Sequence, residues 1–240
     1  MDYTKFDTSQ VYTGKSRATY DVGLRSYMIA VYKHMSIALL ITSVIAYLVS
    51  VSPTMQMLAL NPISFIGIAI ATIAIAVYMG SRILSLSVEK ARNFLWLYAA
   101  LIGLTLSSLF IIYTGASVAK AFLITASTFG AMSLYGYTTR RDLTAVASFL
   151  FMGLFGIVIA SLVNMFLYSG RMSFIISIAS VVVFTGLAAY DTQKIKDLYY
   201  QVAGRGDVEN KVAVYGAFSL YLDFINLFMS LIRLVGERKE

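Results

Sequence analysis

Apolar residues run through this chain in long unbroken stretches, and polar residues are gathered into the short segments between them. Seven stretches approach the roughly 20 residues that a helix needs to cross a bilayer core. The pattern predicts spans at 27–51, 63–80, 93–113, 116–137, 144–167, 172–190 and 212–235. Barrel strands would instead alternate polar and apolar positions over about ten residues. The first 26 residues are polar, with Asp2, Lys5, Asp7, Lys15, Arg17, Asp21 and Arg25. They contain no apolar core of signal-peptide type and read as a solvated tail on the cytoplasmic side. Residues 27–236 read as one all-α, seven-helix membrane domain, and 237–240 as a short C-terminal tail. The widest connection, a loop of about 20 residues between spans six and seven, is longer than most.

Composition narrows the function classes. The chain is 59% hydrophobic and 13% charged, against about 45–50% and about 25% in soluble domains. Its mean hydropathy is +0.77. So little polar surface cannot cover a particle in water, which argues against a soluble enzyme, a disordered chain or a nucleic-acid-binding domain. The net charge of +7 therefore reads as topology. With the N-terminus inside and alternating spans, 14 of the 19 lysines and arginines fall on the inner side, as the positive-inside rule requires. The other five are Lys120, Arg171, Arg233, Arg238 and Lys239. Three of these sit at the C-terminus, which leaves two readings: the tail is outside, or the last span turns back. With no cysteine and one histidine, His34, neither a thiolate centre nor a multi-histidine metal site can form.

Ten of the twelve acids lie in tails or at loop ends. Asp223 stands inside the apolar run Tyr221-Leu222-Asp223-Phe224-Ile225-Asn226-Leu227-Phe228, about 16 Å into the seventh span at 1.5 Å per residue. Asp191 closes the sixth span in Ala189-Tyr190-Asp191-Thr192. A carboxylate at mid-membrane costs about 2.5–3.5 kcal/mol on the insertion scale, so such residues are functional candidates by default. Two acids at that depth can share a proton, hold a hard cation such as Ca²⁺, or alternate between the two. Asn226 lies on the Asp223 face and can extend a polar network. Arg82, ending the second span on the Asp191 side, is the candidate counter-ion. Ala126, Gly130, Ser133, Gly136, Gly153 and Gly156 are candidates for close helix contact. Two boundary patterns, Ile112-Tyr113-Thr114-Gly115 and Leu167-Tyr168-Ser169-Gly170, suggest either an internal repeat or similar helix ends.

Three segments in this order carry a family likeness. They are Tyr135-Gly136-Tyr137-Thr138-Thr139-Arg140-Arg141-Asp142-Leu143, Gly186-Leu187-Ala188-Ala189-Tyr190-Asp191-Thr192-Gln193-Lys194-Ile195 and Leu220-Tyr221-Leu222-Asp223-Phe224-Ile225-Asn226-Leu227-Phe228. Together they resemble the Bax-inhibitor family in a bacterial form, over roughly 27–236. The resemblance implies a seventh helix at the centre with six around it, in the inner membrane. It implies a pH-sensitive Ca²⁺ leak gated by an aspartate pair, matched by Asp191 and Asp223, with Tyr190 and Asn226 beside them. It implies an arginine latch on the pair, matched in placement by Arg82. Relatives can carry a glutamate within the second helix; 63–80 has none, and Ala71 stands near that place. On this reading the partners are the bilayer, protons and Ca²⁺, with no cofactor and no nucleic acid, and the chain is not an enzyme. A second reading, also from the family, is a non-conducting modulator of a membrane-anchored quality-control protease. A third, an intramembrane aspartyl protease, lacks its G-x-G-D element, since Tyr221-Leu222 precedes Asp223.

Overall fold

A computed structural model describes residues 8–239. The described residues form eight α-helices: α1 Thr8–Val51, α2 Pro53–Leu60, α3 Pro62–Arg82, α4 Val88–Ile112, α5 Gly115–Thr138, α6 Thr144–Leu167, α7 Gly170–Val202 and α8 Asp207–Val235. Seven are long and apolar enough to span a bilayer, α1 through its Val22–Val51 part. These match the seven predicted spans. The short α2 was not expected. Ser52 caps it by accepting from the Met55 amide, and Pro53 occupies its first turn, where a missing amide costs nothing. Asn61 and Pro62 start α3 in the same way.

Three boundaries differ from the sequence expectation. α1 begins at Thr8, within the expected tail, whose residues 1–7 lie outside the described residues. α7 runs twelve residues past Tyr190 and α8 begins at Asp207, so the expected long loop shrinks to a turn at 203–206. Gly204 and Gly206 make it with φ of +75° and +54°, a region that glycine enters without strain. The α7 extension is amphipathic, which disguised it among charges. Ile195, Tyr199 and Val202 are buried while Lys194, Asp197 and Tyr200 are exposed, and Tyr199 packs its ring 5.2 Å from that of Tyr27.

α8 is the centre of the bundle. Of its most apolar stretch 61% is buried, against 6% for α3 and 11% for α6. It packs directly on α1, α4, α5 and α7; the short turn Ile83–Ser85 after α3 reaches it as well. α3 itself leans on α4, and α6 on α7. Ties of two kinds fix the helices around α8. The Thr42 hydroxyl donates to the Ala99 carbonyl (2.9 Å) and meets the Tyr221 hydroxyl (2.7 Å), joining α1, α4 and α8. Close approach joins α5 to α7, because a Cβ on Gly136 would overlap the Ala189 carbonyl. Gly130 and Gly156, by contrast, face open space.

The C-terminal tail settles one of the open readings. The Thr114 amide donates to the Glu237 carbonyl, the Lys239 amide to the Ile112 carbonyl, and the Glu237 amide to Ser117 Oγ. α8 therefore crosses completely and ends beside the α4–α5 turn. The two similar boundary patterns prove to be capping sites: Thr114 and Ser169 cap α5 and α7. Their tyrosines diverge, Tyr113 being buried and Tyr168 exposed.

Candidate functional site

Along α8 the residues Ser219, Asp223, Asn226, Ser230 and Arg233 are spaced four, three, four and three apart. That spacing puts them on one face, a polar stripe about 21 Å long at 1.5 Å per residue. All five line a single cavity of about 670 Å³ between α6, α7 and α8. α7 contributes Asp191, Leu187, Phe184, Ser180 and Ile176, and α6 closes the far wall with mainly apolar residues. α6 packs on α7 and leaves the α8 stripe uncovered; this is why the space exists.

The cavity brings the two candidate acids together. Asp191 is partly buried and accepts a 2.5 Å hydrogen bond from the Ser219 hydroxyl, one helix away. Asp223 is 5% exposed, and its Oδ2 has no hydrogen-bond partner among the described residues. A buried carboxylate oxygen without a donor is costly, and the cavity is where a proton or cation would relieve it.

The other expected site residues are arranged differently. Asn226 lines the cavity, but its amide donates to the Leu222 carbonyl on its own helix (2.8 Å). Tyr190 sits outside, with Phe151 edge-on to its ring and the Lys194 ammonium 5.8 Å from the ring centre. Arg82 is exposed and lines a separate shallow groove with Tyr78, Ser81 and Ser85. It bonds to neither aspartate among the described residues, so the latch implied by the resemblance is not formed in this arrangement. The reason is the position of α3, which rests on α4 rather than along α8.

Sequence reasoning missed Ser219, Ser230 and Arg233. The signal was available as heptad-like spacing from Asp223, but serine and a helix-end arginine look ordinary in isolation. It also gave too little weight to the residues around Asp191. Gln193 donates to the Arg141 carbonyl and accepts from the Leu143 amide, while Lys196 Nζ donates to the Tyr137 carbonyl. Thr192 donates to the Ala188 carbonyl and lies 3.2 Å from Ser133 Oγ. These side chains fasten α7 to α5 and to the start of α6, and so fix where Asp191 points.

The donor set suits a weakly held cation. Ca²⁺ takes six to eight oxygens at about 2.3–2.6 Å. Here two carboxylates, four serine hydroxyls and one amide line the space. No group of three or more acidic, histidine or cysteine side chains placed to hold a metal ion occurs among the described residues. A divalent ion would therefore keep part of its hydration shell, which suits passage better than storage.

Comparison with known proteins covers nearly the whole chain. A family model described as inhibitor of apoptosis-promoting Bax1 matches residues 24–240. An uncharacterized protein of Rickettsia prowazekii is 48% identical over 241 residues, covering 100% of both chains. The inner membrane protein YbhL of Escherichia coli is 47% identical over 220 residues, covering 90% of this chain and 94% of its own. An uncharacterized protein of Caulobacter vibrioides is 34% identical over 249 residues, covering 100% and 99%.

Proposed function

The chain belongs to the Bax-inhibitor family of membrane proteins, and we propose that within it this protein is a pH-sensitive Ca²⁺ leak of the inner membrane. The observation that carries the reading is one cavity lined by both Asp191 and Asp223, the latter buried with an oxygen lacking a donor. With both carboxylates charged, a cation between them offsets their repulsion. A proton on either removes half of that charge and releases the ion, so protons and Ca²⁺ compete for the same oxygens. Ser219 holds Asp191 in place during this exchange. The N-terminus is cytoplasmic on this reading, because 14 of the 19 lysines and arginines then face inward.

The test is Ca²⁺ flux into liposomes across pH 5–8 with purified protein. Wild type is expected to carry Ca²⁺ with a rate that changes with pH, and Asp223→Asn to flatten that dependence. A double Asp191→Asn, Asp223→Asn variant that leaks with the wild-type pH profile would overturn the mechanism. Wild type that carries no Ca²⁺ at any pH would favour the non-conducting protease modulator instead.

A further inference from the structure

The cavity holds a third charge that the aspartate mechanism does not use. Among the described residues Arg233 is the one cationic side chain lining it, at the end of the α8 stripe opposite Ser219. Arg233 is exposed, whereas Ser230 and Asp223 behind it are buried. The stripe therefore leads from the surface at Arg233, past Ser230 and Asn226, to the carboxylates. Met165 of α6 and Ile176 of α7 flank the same end. Arg233 has no ion-pair partner among the described residues, and Lys194, the cation acting on Asp191, projects from the opposite end of α7. An ion approaching from the end of the bundle that carries the C-terminus meets Arg233 first.

We propose that Arg233 is the charge filter of this cavity: at its mouth, the guanidinium discriminates against divalent relative to monovalent cations on their way to Asp191 and Asp223. This rests on the proposed function for its cargo and adds the residue that restrains the entry of that cargo. Coulomb repulsion scales with the charge on the ion, so a divalent cation is opposed twice as strongly as a monovalent one at the same distance. Because Arg233 is exposed, solvent and salt screen it. The filter therefore biases traffic without blocking it, and its strength falls as ionic strength rises. The lining beyond it is neutral until the acids, so Arg233 sets the potential at the mouth alone. The same charge lowers the occupancy of the aspartate pair by Ca²⁺ at equilibrium, which gives a readout independent of conduction.

The experiment compares wild type, Arg233→Gln, Arg233→Lys and Asp223→Asn as full-length purified proteins. Ca²⁺ and K⁺ fluxes are measured in liposomes at low and high ionic strength, and Ca²⁺ binding by titration calorimetry in micelles. Arg233→Gln is expected to raise the Ca²⁺-to-K⁺ flux ratio and the Ca²⁺ affinity by about 3- to 10-fold at low salt, with the gain shrinking at high salt. Arg233→Lys, which keeps the charge, is expected to match wild type. An unchanged ratio and affinity in Arg233→Gln overturns the filter, as does Arg233→Lys behaving like Arg233→Gln, the mark of a structural role. If no variant conducts but Ca²⁺ affinity still follows the charge at position 233 and is lost in Asp223→Asn, the leak falls and the charge effect stands. If wild type shows no Ca²⁺ binding that Asp223→Asn removes, both fall.

Discussion

Tyr221 and Asp223 sit two residues apart on α8, yet their buried polar atoms are treated in opposite ways. The Tyr221 hydroxyl is wholly buried and satisfied by Thr42, which in turn donates to the Ala99 carbonyl. Asp223 Oδ2 is buried and unsatisfied among the described residues. The first arrangement is structural, and the asymmetry of its two ends gives a prediction. Tyr221→Phe removes a donor and leaves Thr42 still bonded to Ala99, a loss of about 0.6–1 kcal/mol. Thr42→Val leaves the Tyr221 hydroxyl buried with no partner and should cost more, about 1–3 kcal/mol. Unfolding in mixed micelles checks the order; equal losses would mean the hydroxyl finds another partner. Outside the membrane, Asp142 offers a pH handle. Its carboxylate accepts from the Thr144 side chain and from the Thr144 amide at 2.8 Å, which holds it below the usual carboxylate range. A depressed acid contributes stability above its unfolded pKa and loses it as pH falls through the folded one. Asp142→Asn should therefore lower the melting temperature at neutral pH and lessen its fall below about pH 4, where variant and wild type converge. An identical acid-side slope in the variant would contradict this.

Which stretches cross the membrane was legible in the sequence, because length and continuity decide that; which of them touch was not. The long apolar α3 and α6 are the least buried spans, while α8, interrupted by Ser219, Asp223, Asn226 and Ser230, is the most buried. In lipid the most apolar faces turn outward, so hydropathy marks a helix as membranous without saying that it is central. The centrality of α8 came from the likeness to a family, and the structure has it; Asp191 and Asp223 stand out by their place in the spans as well as by the likeness, and the structure sets both on one cavity. Arg82 follows from its place at the end of the second span as well as from the likeness, and the structure separates it from the pair because α3 rests on α4. Small residues were a mixed guide for a physical reason. A glycine matters only where another backbone arrives, as at Gly136 against the Ala189 carbonyl, and Gly130 meets nothing. Gly136→Ala must push α5 away from α7 at the level of Thr192 and Ser133, just above Asp191. The expected loss is about 1–3 kcal/mol, the usual range for overpacking, with a measurable drop in melting temperature. Gly130→Ala is the control and should be neutral or slightly stabilising; equal effects at the two positions would show that helix propensity, not helix contact, sets the response.

At the scale of the whole molecule the C-terminal tail ties the charge pattern to the topology. The turns at Ile83–Ser85, 139–143 and 203–206 share one end of the bundle; the α4–α5 turn, the α6–α7 turn and the tail share the other. Three basic residues near the C-terminus seemed to oppose an N-inside orientation. Two of them are accounted for locally. Lys239 Nζ donates to the Phe110 carbonyl in the last turn of α4, where the helix dipole favours a cation. Arg233 lies at the mouth of the aspartate cavity. Even with all three counted outside, 14 of the 19 lysines and arginines lie inside under an N-inside orientation, which is the arrangement the positive-inside rule favours. The prediction is direct because the protein has no cysteine: any introduced thiol is the sole site for a membrane-impermeant maleimide. Arg205→Cys and Arg238→Cys both replace exposed residues. In intact cells Arg238→Cys should label and Arg205→Cys should label only after lysis. The reverse result would invert the orientation, and with it the side from which ions first meet Arg233. Labelling of both from outside would contradict the complete crossing of α8, since these two residues flank that helix and nothing else.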